Sequence, residues 1–328
     1  MGVASCGGGE TTAGGGGGEQ SLKVGLAYDI GGRGDKSFND AAFRGLQRVQ
    51  KELNLEVKDL AATEGESDAD KASRLKLMAD TGYNPIIAVG FVYANAVKEV
   101  APKYPNVTFA IVDDETVKGS NVANLVFAEE QASYLVGAAA AAKSEADNIG
   151  FVGGVDTPLI KKFEAGYVAG AEKINPDVEV QVGYLSQPPD FSGFRDPAKA
   201  KTMADGMYDK GADVVYHAAG LSGNGLFEAA AGQKKWAIGV DSDQYVSAPG
   251  DQKQYILTSA LKGVDVAVFD FVKSVGDKTF KPGVQRFDLA DNGVGYSTSN
   301  PEINDVKPRL EELKQQIIDG EITVPTEP

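Results

Sequence analysis

Short apolar runs and segments apolar at helical spacing take turns along this chain, and the series runs twice. That alternation constrains the fold more than any other feature. Residues 23–28 (KVGLAY) read as a strand. Phe38, Ala42, Leu46, Val49 and Leu53 follow at steps of four, four, three and four, one face of a helix. Ser37 before them, with Asp40 three positions on, predicts an N-cap with a capping-box partner. Strands are expected at 57–60, 85–89 and 107–112, separated by helices at 68–80 and 94–100. Such units specify an α/β fold with a parallel sheet covered on both faces. The second series has helices at 132–143, 161–174, 197–210 and 225–232 around strands at 149–152, 178–183, 213–216 and 236–240. A strand at 256–259 and helices at 264–275 and 306–318 follow. No low-complexity linker separates the halves, so the pattern predicts two lobes joined by several crossing strands.

The first twenty residues, MGVASCGGGETTAGGGGGEQ, are different in kind. Nothing in them can bury surface, so ordering them would cost entropy without compensating contacts, and residues 1–21 are expected to be a flexible tether. Small residues before Cys6 and glycines after it resemble a bacterial lipobox, in which Cys6 would carry the lipid. Elsewhere no run approaches the roughly 18 apolar residues of a spanning helix.

Composition narrows the chemistry. One Cys excludes a disulfide framework and a thiolate metal cluster, and one His excludes a multi-histidine metal site. Neither a metal nor a cofactor is expected. Acidic residues outnumber basic ones 47 to 32, for a net charge of −15, which argues against nucleic acid and against phosphate-rich ligands.

In open α/β sheets, ligands bind beyond the carboxyl ends of the strands. The residues there are Asp29, Gly90-Phe91, Asp113-Asp114, Gly153-Gly154, the stretch from His217 to Gly225, Asp241, and the stretch from Ser259 to Lys262. The densest segment is DIGGRGDKSFN, residues 29–39. It differs from a phosphate loop, because Asp35 stands where that loop needs glycine before Lys-Ser, and a carboxylate there repels phosphate. Gly220-Leu221-Ser222-Gly223-Asn224-Gly225 has the spacing G-x-x-G-x-G rather than the dinucleotide G-x-G-x-x-G. His217 has no nucleophile elbow to serve and reads as a hydrogen-bonded strand-end histidine in or near the cleft. Asp29, Asp113 and Asp241 suit either of two tasks. They could form a glycosidase acid/base pair, or they could accept hydrogen bonds from a vicinal diol. Phe38 and Phe194, beside glycine-rich loops, could sandwich a flat ring or pack as ordinary core.

The blocks YDIGGRGDKSFNDAAFRG, FAIVDD, GFRDPAKAK, HAAGLSGNGLFEAA, WAIGVDSDQ and TSALKGVDVAV occur in that order. Together they resemble the basic membrane protein family of bacterial lipoproteins, which includes purine-nucleoside receptors, over nearly the whole folded chain. The resemblance implies a type I periplasmic-binding-protein fold: two Rossmann-like lobes with parallel sheets joined by a multi-strand hinge. The lobes would be residues 22–127 with about 260–288, and 128–259 with about 289–328. It implies a non-enzymatic, monomeric, extracytoplasmic receptor, held on the membrane through Cys6, that delivers a nucleoside to an ABC permease. Phe38 and Phe194 would stack on the base, with Phe191 the other candidate for the second ring. Asn39 and Asp113 would meet the base edge. Asp241 and Lys262 would hold the ribose hydroxyls with the Gly220 backbone close by, and Asp29 and Ser37 would complete the ligand-binding loop. Two readings compete with this one: a sugar or polyol receptor of the same fold, and a nucleoside hydrolase or glycosidase using the cleft aspartates.

Overall fold

The structure is a computed structural model and describes residues 1–2 and 22–328. Cys6 and the glycine-rich segment around it lie outside the described residues. The first half runs β1 (Lys23–Ala27), α1 (Phe38–Leu53), β2 (Glu56–Leu60), α2 (Asp68–Asp80), β3 (Ile86–Ala88), α3 (Ala94–Val100), β4 (Phe109–Val112) and β5 (Val122–Phe127). The chain then crosses into α4 (Glu129–Lys143), β6 (Asn148–Val155), α5 (Pro158–Ile174), β7 (Glu179–Ser186), α6 (Pro197–Asp209), β8 (Val214–Ala218) and α7 (Gly223–Gln233). Next come β9 (Trp236–Asp241), the short helices α8 (Gln244–Ser247) and α9 (Gly250–Lys253), and β10 (Ile256–Lys262). It returns through α10 (Val264–Gly276) to β11 (Gly283–Phe287), crosses once more to β12 (Val294–Tyr296), and ends in α11 (Lys307–Ile318).

Among the described residues the strands form two six-stranded sheets, ordered β11-β5-β4-β3-β1-β2 and β12-β10-β9-β8-β6-β7. Every pairing is parallel except β10 with β12, where Ala260 faces Tyr296 antiparallel. Side chains alternate across each sheet because successive residues of a strand point to opposite faces. In β3 and the residue after it, Ile87 and Val89 join the cluster of Leu46 and Val49 from α1 and Val268 and Phe271 from α10. Ile86 and Ala88 join Leu75 and Met78 from α2 and Val97 from α3 on the other face. In the second sheet Val152 and Val215 pack with Ala204 of α6 and Leu226 of α7. Each such Leu, Val or Phe contributes roughly 1.5–3 kcal/mol by burial.

Three strands differ from the sequence reading. β5, VANLVF, is buried along its whole length and sits where the two series were expected to join. β11 and β12 were not anticipated. The chain crosses between the sheets three times: after β5, after β10 and after β11.

Candidate functional site

The loop between β1 and α1 is folded by its own carboxylates. Asp35, not Ser37, caps α1: it accepts hydrogen bonds from the backbone N–H groups of Ser37 (2.9 Å), Asn39 (2.7 Å) and Asp40 (3.1 Å). The capping box expected of Ser37 and Asp40 is therefore replaced, and the Ser37 side chain makes no cap hydrogen bond. Asp40 turns back instead. It accepts from Gly34 N–H (3.1 Å) and Lys36 N–H (3.0 Å) and pairs with Arg33 at 2.9 Å. N–H groups that would cradle a phosphate in a nucleotide-binding loop are thus spent on Asp35 and Asp40. The Asn39 side chain is anchored at both ends, its oxygen accepting from Asp29 N–H (3.0 Å) and its amide donating to Asp35 (3.1 Å).

Beyond the strand ends of the two sheets lies a cavity of about 540 Å³, its mouth included. Asp29, Phe38, Asn39, Asp113, Phe194, Gly220, Asp241 and Lys262 all line it. Ser37 does not; it stands behind Asp241 and donates a hydrogen bond to that carboxylate. Phe194 rests on Gly154, where a Cβ would stand 2.5 Å from the ring, so no larger residue fits there without displacing it. Phe191 belongs to the outer space at the mouth, with Arg195 and Glu64, which pair at 2.9 Å. Phe91 contacts both rings edge-on, with centroids 5.9 Å from Phe191 and 6.4 Å from Phe194.

The charged groups are deeply buried. The Lys262 ammonium lies 2.6 Å from Asp113 and 3.1 Å from Glu129, with the three side chains 4%, 5% and 1% exposed. The rings of Phe38, Phe127 and Phe163 surround it at 5.2, 5.0 and 5.6 Å. Burial alone would lower the Lys262 pKa, but Asp113, Glu129 and Asp241 outweigh it and hold the ammonium above its usual range. One oxygen of Asp113 and one of Glu129 are buried with no hydrogen-bond partner in the protein. Asp113 and Asp241 both stand in the left-handed region, at φ 66° and 61°. Aspartate tolerates that conformation better than most residues, but it still costs of order 1 kcal/mol, and such strain concentrates at ligand sites. Among the described residues lining the cavity, Lys262 is the only cation against Asp29, Asp35, Asp113 and Asp241.

Asp29 is packed against Gly90, where a Cβ would stand 2.0 Å from its carboxylate. Burial pushes its pKa up to about 7; the Ile30 N–H opposes this and Asp113 adds to it. An unfolded aspartate titrates near 3.9, so between about pH 4 and 7 the folded chain binds the extra proton. This contribution to stability is complete below the unfolded pKa and is lost as pH rises through the folded one. Scanning calorimetry should therefore show the thermal midpoint rising as pH falls from about 8 to 5. In Asp29→Asn, neutral throughout, the rise should be shallower. Identical pH profiles for the two proteins would remove Asp29 as its source.

Several cavity residues escaped the sequence reading as site residues. Phe91 follows β3, a position that did mark it as beyond a strand end. Leu159, Ile160 and Phe163 come from the first turns of α5 and are spaced like any core face. His217 is wholly buried behind the site and does not line the cavity. Its Nε2 bonds the Gln244 side-chain oxygen at 3.0 Å, and burial pushes its pKa down to about 4.

The family model described as "ABC transporter substrate-binding protein PnrA-like" matches residues 22–327. The chain is 35% identical over 321 residues to the ABC transporter nucleoside-binding protein BmpA of Lactococcus lactis subsp. cremoris, covering 93% of this chain and 89% of that one. It is 36% identical over 309 residues to an uncharacterized lipoprotein of Pyrococcus horikoshii, covering 90% and 73%. Among solved structures it resembles an ABC transporter solute-binding protein of Aeropyrum pernix K1, with a TM-score of 0.79 and 31% identity over 93% of each chain.

Proposed function

The chain belongs to the PnrA-like ABC transporter substrate-binding proteins, a family that binds rather than catalyses, and from that premise we propose that it captures neutral nucleosides, purine ones foremost, between its two sheets. One observation carries the reading: a cavity bounded by Phe38 and Phe194 in which carboxylates outnumber the ammonium, beside a loop whose Ser37, Asn39 and Asp40 N–H groups are taken by Asp35. What enters must be flat in one part, rich in hydroxyls in another, and uncharged.

In this proposal Phe38 and Phe194 stack on the base. Asp113 and the remaining amide hydrogen of Asn39 meet its edge. Asp241 and Lys262 hold the ribose hydroxyls with the Gly220 backbone nearby, Asp29 adds a polar contact, and Ser37 orients Asp241. The ligand closes two lobes, residues 22–127 with about 260–288 against 128–259 with about 289–328, about the three crossings. Arg195–Glu64 and the Phe91–Phe191 pair meet across the mouth when they close. A monomer anchored by lipid at Cys6 on the extracytoplasmic face then presents the closed form to its permease. One acyl chain holds a protein to a membrane only marginally, so the anchor needs more than one. The name of the Pyrococcus relative supports the lipoprotein part, and that of the Lactococcus relative the nucleoside part.

A thermal-shift panel tests the ligand class. A ligand at about 100 times its dissociation constant adds about 2.7 kcal/mol, a rise of roughly 5 °C for a chain this long. Adenosine, guanosine or inosine should give it, and glucose, galactose and xylose should not. A shift with a sugar and none with any nucleoside would move the assignment to a polyol receptor.

A further inference from the structure

We propose that Glu129 is a positioning residue that fixes the Lys262 ammonium at the cavity wall independently of Asp113, so that Asp113 can turn to the ligand without losing the cation. The proposal rests on the nucleoside reading above and adds to it a residue that does not itself touch the cavity.

The two carboxylates on Lys262 stand differently. Asp113 lines the cavity, and Glu129 does not. An ammonium has three hydrogens to donate. One is donated to Asp113 (2.6 Å), while Glu129 holds the charge as an ion pair at 3.1 Å, which leaves hydrogens free for a ligand hydroxyl. The remaining neighbours of the ammonium are the rings of Phe38, Phe127 and Phe163, which fix no direction as a hydrogen bond does. When a ligand engages Asp113, Glu129 is the group that still determines where the ammonium sits. Without it, the ammonium would have no fixed partner once Asp113 turns to the base, and its contact with the ribose hydroxyls would be lost.

The position of Glu129 in the chain explains why it can do this. It opens α4, just after the first crossing between the sheets, while Lys262 ends β10 at the second. Its neighbours tie the first crossing to the third: Glu130 pairs with Arg286 at 2.6 Å, and the Gln131 side chain accepts from Leu289 N–H at 3.0 Å. Three consecutive side chains thus join all three crossings. Lys262 is held by the segments about which the sheets would move, not by one sheet alone.

The test is calorimetric titration of the full chain with inosine and with hypoxanthine, the same base without its ribose. Glu129→Gln should weaken inosine about tenfold to a hundredfold, the size of losing a charged partner beside a buried cation, and hypoxanthine by less than about threefold. Glu129→Asp, which keeps the charge on a shorter arm, should recover part of the inosine loss. On a Lys262→Met background, Glu129→Gln should weaken inosine no further. Equal losses for both ligands, no loss for either, or the same factor lost with Lys262 already removed would overturn the proposal. A Glu129→Gln chain that fails to fold leaves the decision to Glu129→Asp, where a loss confined to inosine is expected and an equal loss contradicts it. Absence of inosine binding by the wild type would overturn the nucleoside reading itself, and this inference with it.

Discussion

Lys262→Met is expected to lower the thermal midpoint of the ligand-free protein by roughly 5–9 °C. The side chain is 4% exposed, bonds Asp113 and pairs with Glu129, with Asp241 also acting on its charge. Methionine fills similar space but leaves those carboxylates facing one another without a counterion. Removing one partner of a buried ion pair costs about 3–5 kcal/mol, because the stranded charge keeps its desolvation penalty. Each kcal/mol is worth roughly 2–4 °C in chains of 150–250 residues and less in longer ones. Asp113→Asn should do much less harm, since it removes a charge already in excess and leaves Glu129 on the ammonium. Scanning calorimetry of both variants checks the asymmetry. Equal midpoints for Lys262→Met and the wild type would mean that the triad is not the buried electrostatic centre described here.

Phe38→Ala should have the largest effect on binding with little effect on folding. A base stacked on an aromatic face gains about 1–3 kcal/mol, so the variant should bind inosine roughly 5- to 150-fold more weakly. The ring is half-buried and lines the cavity, so its loss costs less core packing than truncating the fully buried Phe127 or Phe271 would. Phe194→Ala should behave alike, and Phe191→Ala, at the mouth, should cost less than either. Isothermal calorimetry gives all three numbers. A Phe191 loss as large as that of Phe194 would put the second ring at the wrong position.

The sequence made the fold legible where short apolar strands were followed by segments apolar at steps of three and four, as after KVGLAY, so that strand and helix took turns. It hid β5 because VANLVF follows β4 with no helix between them and so falls outside the strand–helix alternation. The site was legible at the carboxyl ends of the strands, which is why Asp29, Asp113, Asp241 and Lys262 could be named before their convergence was visible. Glu129 and Phe163 could not be named that way, since each begins or continues a helix and owes its place to the crossings and to the packing of α5. The cap on α1 was misassigned for a local reason. Asp35 reaches forward over Lys36 to the N–H groups of Ser37, Asn39 and Asp40, and a carboxylate two positions before the usual cap leaves no fixed spacing to read.

The wild-type arm of the inosine titration, run beside inosine monophosphate, bears most directly on the central claim that the cavity selects an uncharged nucleoside. The added phosphate brings about two negative charges to walls where carboxylates prevail and where Asp35 and Asp40 hold the N–H groups of Gly34, Lys36, Ser37, Asn39 and Asp40. Like charges brought together cost several kcal/mol. Inosine should give a saturable one-site isotherm, and the monophosphate should bind at least about 100-fold more weakly. A monophosphate that binds as tightly as inosine would contradict the claim.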